Sequence, residues 1–77
     1  MEIEIYYFGK LAEITDCNNE IVNTSSSTIS QIIKEIVDKY PRLLNSDFRV
    51  AQDKKIVSQD DCLNGKELAL LPPFSGG

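Results

Sequence analysis

The chain contains no histidine. Without an imidazole, the serine–histidine and cysteine–histidine arrangements that activate a nucleophile are excluded, as are zinc sites that need a histidine ligand. The two cysteines, Cys17 and Cys62, lie far apart with neither a CxxC nor a metal-ligand spacing, so no metal site is expected. Their ordinary reading is as small, space-filling residues. No apolar run approaches the roughly 20 residues of a membrane helix, and no membrane association is expected. Met1-Glu2-Ile3-Glu4 has neither the basic start nor the apolar run of a secretory signal, which points to a cytoplasmic protein with reduced thiols. Basic residues are also few: 8 against 12 acidic ones, for a net charge of −4, scattered apart from Lys54-Lys55. Binding nucleic acid requires clustered Lys and Arg to neutralise phosphates, so nucleic acid is not an expected partner.

What is present is a single small domain. A chain of 77 residues buries only about 60% of its unfolded surface and has little room for a deep cleft. Function is therefore expected at a surface or at an end. Ile3, Ile5 and Tyr7 alternate with Glu2, Glu4 and Tyr6, the period of a strand buried on one face, and Gly9 ends it. Lys10 to Asn19 reads as a loop or short helical turn, and Glu20 to Asn23 as a second strand antiparallel to the first. Ile29, Ile32, Ile33, Ile36, Val37 and Tyr40 then form one apolar helical stripe. Thr28 with Gln31 fits a capping box at its start, and Pro41 stops it.

After a loop at Asn45-Ser46, Phe48 to Ala51 is expected to be a third strand, Gln52-Asp53 a turn, and Lys54 to Val57 a short fourth strand. Asp60 to Leu63 reads as a short helical turn, and Asn64-Gly65 as a tight turn. Glu67 to Leu71 is the last strand, with Leu68 and Leu70 on one face and Ala69 and Leu71 on the other; Pro72-Pro73 end the ladder. One helix must cover one face of a small mixed sheet. The order is that of an α+β, β-grasp (ubiquitin-like) fold, with a domain over residues 1–71 and an extended tail over 72–77.

The tail, Pro72-Pro73-Phe74-Ser75-Gly76-Gly77, carries the chemical signal. Two prolines favour an extended chain, and glycines can enter a channel too narrow for side chains. About six extended residues reach roughly 20 Å, enough to enter a partner's active site. The tail is expected to be mobile in the isolated protein. A carboxylate at Gly77 is a poor electrophile, so transfer chemistry there needs activation, typically as an acyl-adenylate made from ATP by another enzyme. A sulfur nucleophile displacing AMP would leave a thiocarboxylate. Pro72, Pro73, Ser75 and Gly76 would thread the tail, Ser75 serving as a small residue and not as a nucleophile. Phe74 reads as a partner contact, since a large apolar residue there has little of its own chain to cover. Phe8, Ala69 and Leu71 fall on the strand faces away from the core and together suggest a docking patch. Tyr6, Tyr7 and Tyr40 read as packing residues, and Lys54-Lys55 and Asp60-Asp61 as solvated turn charges.

Two stretches, Tyr6-Tyr7-Phe8-Gly9-Lys10-Leu11-Ala12-Glu13 and Leu63 to Gly77, make the sequence resemble the molybdopterin synthase small-subunit (sulfur-carrier) family, of the MoaD/ThiS ubiquitin-like type. The resemblance implies that an E1-like enzyme adenylates Gly77 with ATP and that the residue becomes a thiocarboxylate. It further implies that the tail enters the synthase large subunit, in a heterotetramer, and donates sulfur to cyclic pyranopterin monophosphate. The chain would then be a non-catalytic subunit with no tightly bound cofactor of its own. Asn64-Gly65-Lys66 departs from the family's Asp-Gly-Asp turn, and Gln52-Asp53 from its Asn after the third strand, which bears on which partner docks. Sulfur carriage to a thiamine thiazole or to tRNA is the alternative within the class. A ubiquitin-like modifier that forms an isopeptide bond through Gly77 is the alternative outside it.

Overall fold

The computed structural model describes residues 1–64 and 66–73. Its strands are β1 (Glu2–Tyr7), β2 (Asn19–Asn23), β3 (Arg49–Gln52), β4 (Lys55–Val57) and β5 (Glu67–Leu71), and its helices are α1 (Lys10–Thr15) and α2 (Ile29–Lys39), with a 3-10 turn at Pro41–Asn45. The strands form one mixed sheet in the order β2-β1-β5-β3-β4. The β1–β5 pair is parallel, and β1–β2, β3–β5 and β3–β4 are antiparallel. With α2 across one face, this is the expected β-grasp architecture.

Alternation along the strands decides which face α2 covers. Ile3, Ile5 and Tyr7 of β1, Leu68 and Leu70 of β5 and Val50 of β3 are buried with Ile29, Ile32, Ile33 and Ile36 of α2. Leu11, Leu43 and Leu63 close the ends of this core. The helix begins as its sequence requires. The Thr28 hydroxyl accepts from the Gln31 amide, and the Gln31 side chain accepts from the Thr28 amide, satisfying donors that the first turn leaves unpaired. Pro41 ends α2 and starts the 3-10 turn, which continues to Asn45.

Some boundaries differ from expectation. Residues 10–15 form a true helix, α1, although it is only six residues long and buries only Leu11 and Thr15. The β3–β4 turn is Asp53-Lys54, one residue later than the sequence suggests, and both residues have positive φ (50° and 73°). Gln52 instead belongs to β3 and is buried. Its amide donates to the Cys62 carbonyl at 3.1 Å and accepts from the Asn64 amide at 3.0 Å. This clamp, with an isolated bridge between Thr28 and Cys62, holds the segment before β5 extended, so the helical turn expected at Asp60 to Leu63 does not form. Gly65 of the expected Asn64-Gly65 turn lies outside the described residues.

A polar knot ties β1, β2 and α2 together. The Glu20 carboxylate accepts from the Tyr7 hydroxyl at 2.6 Å and the Tyr40 hydroxyl at 2.8 Å, and pairs with the Lys39 ammonium. The two tyrosine rings meet edge to face at 6.0 Å. Burial alone would push Glu20 up, but the hydrogen bonds from Lys39, Tyr7 and Tyr40 outweigh it and hold the carboxyl below its ordinary range. Burial, and then the bond to Glu20, push the Tyr40 phenol up to about 12 and the Tyr7 phenol further. Because the folded pKa of Glu20 is the lower one, its contribution to stability is in place above the unfolded value of about 4.3 and is lost as pH falls through the folded value. Thermal melts from pH 7 to pH 2 are expected to show a steeper acid loss for the natural chain than for Glu20→Gln. Equal slopes would remove Glu20 from the acid transition.

Candidate functional site

Among the described residues no element covers the face of the sheet turned away from α2, and register places its residues. Ala69 of β5 lies between Tyr6 of β1 and Ala51 of β3, and Ala51 in turn pairs with Ile56 of β4. The two alanines are the smallest residues in this row, so the sheet surface dips between bulkier neighbours. The result is a concavity of about 390 Å³ with Ala51 and Ala69 at its floor, Tyr6 and Phe8 as walls, and Asp53, Lys54 and Glu67 at its rim. Phe8 is 46% and Ile56 55% exposed, both large apolar side chains on the same open face. The neighbouring Glu4 carboxylate holds the Tyr6 phenol above its ordinary value. An apolar floor inside a mixed-charge rim has the composition of a docking surface.

Of the residues the sequence suggests for docking, Phe8 and Ala69 line this concavity together. Leu71 lies on the same face, half-buried and paired with Arg49 beyond the concavity. The sequence does not single out Tyr6, Ala51, Lys54 or Ile56 for it. Tyr6, expected to pack, is a wall, and Lys54, expected to be a solvated turn charge, is a rim residue. A signal for Tyr6 is present in the sequence, because it shares a strand face with Phe8. Ala51 and Ile56 depend on β3–β5 and β3–β4 register, which no local pattern states.

The start of the tail is also built. Central strand β5 delivers Pro72 over Gly9, whose backbone sits at φ 59°, ψ −134°. A Cβ at residue 9 would lie 3.2 Å from Cγ of Pro72, so glycine is the residue that lets the ring sit there undisturbed. Pro72 is half-buried against the body, and Pro73 is the first exposed tail residue. Phe74, Ser75, Gly76 and Gly77 lie outside the described residues. The cysteines are unpaired, Cys17 half-buried and Cys62 exposed. No described helix is long and apolar enough to cross a membrane. Among the described residues no group of His, Cys, Asp or Glu is arranged to hold a metal.

Comparison with known proteins gives the same architecture. The model of the ThiS family matches residues 5–77. The human molybdopterin synthase sulfur carrier subunit is 32% identical, over 99% of this chain and 94% of its own length. Among solved structures, SAMP1 (small archaeal modifier protein 1) of Haloferax volcanii superposes with a TM-score of 0.81 at 24% identity, covering all of both chains. A TM-score of 0.68 at 22% identity, again over all of both chains, is found with a Helicobacter pylori structure, a complex of subunits 1 and 2 of molybdopterin-converting factor. At these identities the structural matches establish the fold.

Proposed function

This chain belongs to the ThiS family, and on that premise we propose that it is a sulfur carrier serving molybdopterin synthase, with the Gly77 carboxylate as its working group. The observation that carries the reading is the exit of the chain. A central strand, anchored on both sides, hands Pro72-Pro73 off at the end of the sheet where Phe8 and Leu71 lie, beside an apolar concavity that the described residues leave open. The body supplies docking and aim, and the tail supplies reach.

The chemistry follows from the carboxylate. An E1-like partner transfers AMP from ATP to it, with loss of pyrophosphate. A hydrosulfide equivalent attacks the acyl carbon, a C–S bond forms, the bond to the phosphate oxygen breaks, and AMP leaves. The thiocarboxylate then donates its sulfur to cyclic pyranopterin monophosphate in the large subunit, with which the chain assembles as a heterotetramer. Two such transfers supply the sulfurs of a dithiolene. The chain contributes no acid or base and needs no resident cofactor.

Mass spectrometry of the tryptic peptide Glu67 to Gly77 tests the proposal, after incubation with ATP, a sulfur source and a matched activating enzyme. Replacement of one oxygen by sulfur at Gly77 is the expected result; the peptide contains no Met or Cys to confuse it with oxidation. An unchanged carboxylate, with the activating enzyme proven on another carrier, would overturn it. Lysine conjugates lost on deletion of Gly77 would instead establish the modifier chemistry that the name of SAMP1 describes.

A further inference from the structure

The sheet has two edges, and they are treated differently. β4 is three residues long and follows Lys54 with Lys55, the short and charged form that discourages strand pairing. β2, at the other edge, has five residues, Asn-Glu-Ile-Val-Asn, with no lysine, arginine or proline. Its hydrogen-bonding phase can be read from its ends. Met1 and Thr24 exchange both backbone bonds at 2.8 Å, and the Tyr7 amide donates to the Asn18 carbonyl at 2.9 Å. In an antiparallel ladder such pairs recur at every second residue, so Val22 and Glu20 face β1. Asn19, Ile21 and Asn23 therefore turn their N–H and C=O groups outward, and Ile21 is 64% exposed. Beside this open ladder, between β2 and α2, runs a groove of about 270 Å³ with Ile21, Val22 and the buried Ile36 as its apolar lining and Glu20, Glu35 and Lys39 along it.

We propose that this edge and groove bind an extended segment of another protein, added to β2 as a sixth strand and carrying alternating aliphatic and basic side chains. The backbone ladder accepts any strand. The groove selects an aliphatic side chain to cover the half-buried Val22, and the charge selects the rest. Lys39 is already engaged by Glu20, the one salt bridge among the described residues. Glu35 is held only by the neutral hydroxyls of Thr24 and Ser26, which keep its carboxyl below the ordinary range and hence ionised. With the aliphatic side chains on the helix side, alternation turns the basic ones to the opposite face, where Glu2 and Glu4 flank the same edge through their pairing with Asn23 and Ile21. A second copy of this chain would bring the same carboxylates against these, so a basic partner is favoured. The groove lies on the helix side and the edge lies away from Ala69 and Ala51. A partner held there leaves the concavity and the tail free, and the inference stands whether or not the tail carries sulfur.

The test is an NMR titration of the full ¹⁵N-labelled chain with an acetylated, amidated peptide of three Arg-Val repeats. Shifts at the amides of Asn19, Ile21 and Asn23, with at least about tenfold slower hydrogen exchange there, are expected. Glu2→Gln combined with Glu4→Gln, on the face that the arginines meet, is expected to weaken the peptide's affinity several-fold with the same spectrum elsewhere. Peptides with Glu for Arg, or with Pro for Val, are expected not to bind. Shifts confined to Tyr6, Ala51 and Ala69, or equal binding of the proline peptide, would overturn the proposal. So would β2 shifts that grow with protein concentration without peptide, which would identify a second copy as the occupant.

Discussion

Ala69→Arg is expected to weaken binding to the synthase large subunit by about 100-fold, which is about 3 kcal/mol, while leaving the melting temperature within a few degrees. Ala69 sits in the middle of the central strand, flanked across the sheet by Tyr6 and Ala51. Its small side chain is what makes the surface concave there. An arginine would fill the floor and place a charge where a partner's apolar side chain would come to rest. Burying that charge without a counter-ion costs several kcal/mol, and leaving it hydrated keeps the surfaces apart. The fold is spared because residue 69 faces away from α2. A control separates position from charge: Leu44→Arg adds the same group at a residue 74% exposed on the 3-10 turn, away from the concavity. Calorimetric titration with the large subunit reads both. Full affinity for Ala69→Arg, or equal losses for the two variants, would remove this face as the docking surface.

How much of this is legible in the sequence depends on whether a feature is local. The Ile3-Ile5-Tyr7 alternation, the Ile29 to Tyr40 stripe and the Thr28/Gln31 box are patterns within one element, and each appears in the structure where its spacing puts it. The α1 helix is ambiguous in sequence because six residues give no sustained stripe, and only Leu11 and Thr15 are buried. The Asp53-Lys54 turn falls one residue from its expected place because two non-glycine residues adopt positive φ there, where sequence reasoning looks for glycine or asparagine. Gln52 reads as part of that turn because a polar residue is not expected inside. It is inside because both ends of its amide are used on the segment before β5. The candidate site divides in the same way. The tail motif and the outward phase of Phe8, Ala69 and Leu71 are local, whereas the floor at Ala51 and the seat of Pro72 on Gly9 exist only once distant strands are in register.

That seat supports the second large effect. Gly9→Ala is expected to slow formation of the C-terminal thiocarboxylate at least about tenfold, and the further change Pro72→Ala to restore most of the loss. Two separate penalties act at residue 9. An alanine at φ 59°, ψ −134° is strained by about 1–3 kcal/mol, whatever its neighbours. Its Cβ would also lie 3.2 Å from Cγ of Pro72, tight enough that the ring must give way. Pro72 is half-buried and Pro73 exposed, so moving Pro72 changes the direction in which the described chain leaves β5. Pro72→Ala removes the ring and hence the clash, but not the backbone strain. Stability and transfer should therefore separate. The single and the double variant both lose melting temperature, because both carry Gly9→Ala. Only the single variant, which retains Pro72, transfers slowly, with a lower turnover and a largely unchanged KM for the chain. If the double variant is as slow as Gly9→Ala alone, the loss comes from strain in the body, and the contact between Gly9 and Pro72 does not aim the tail.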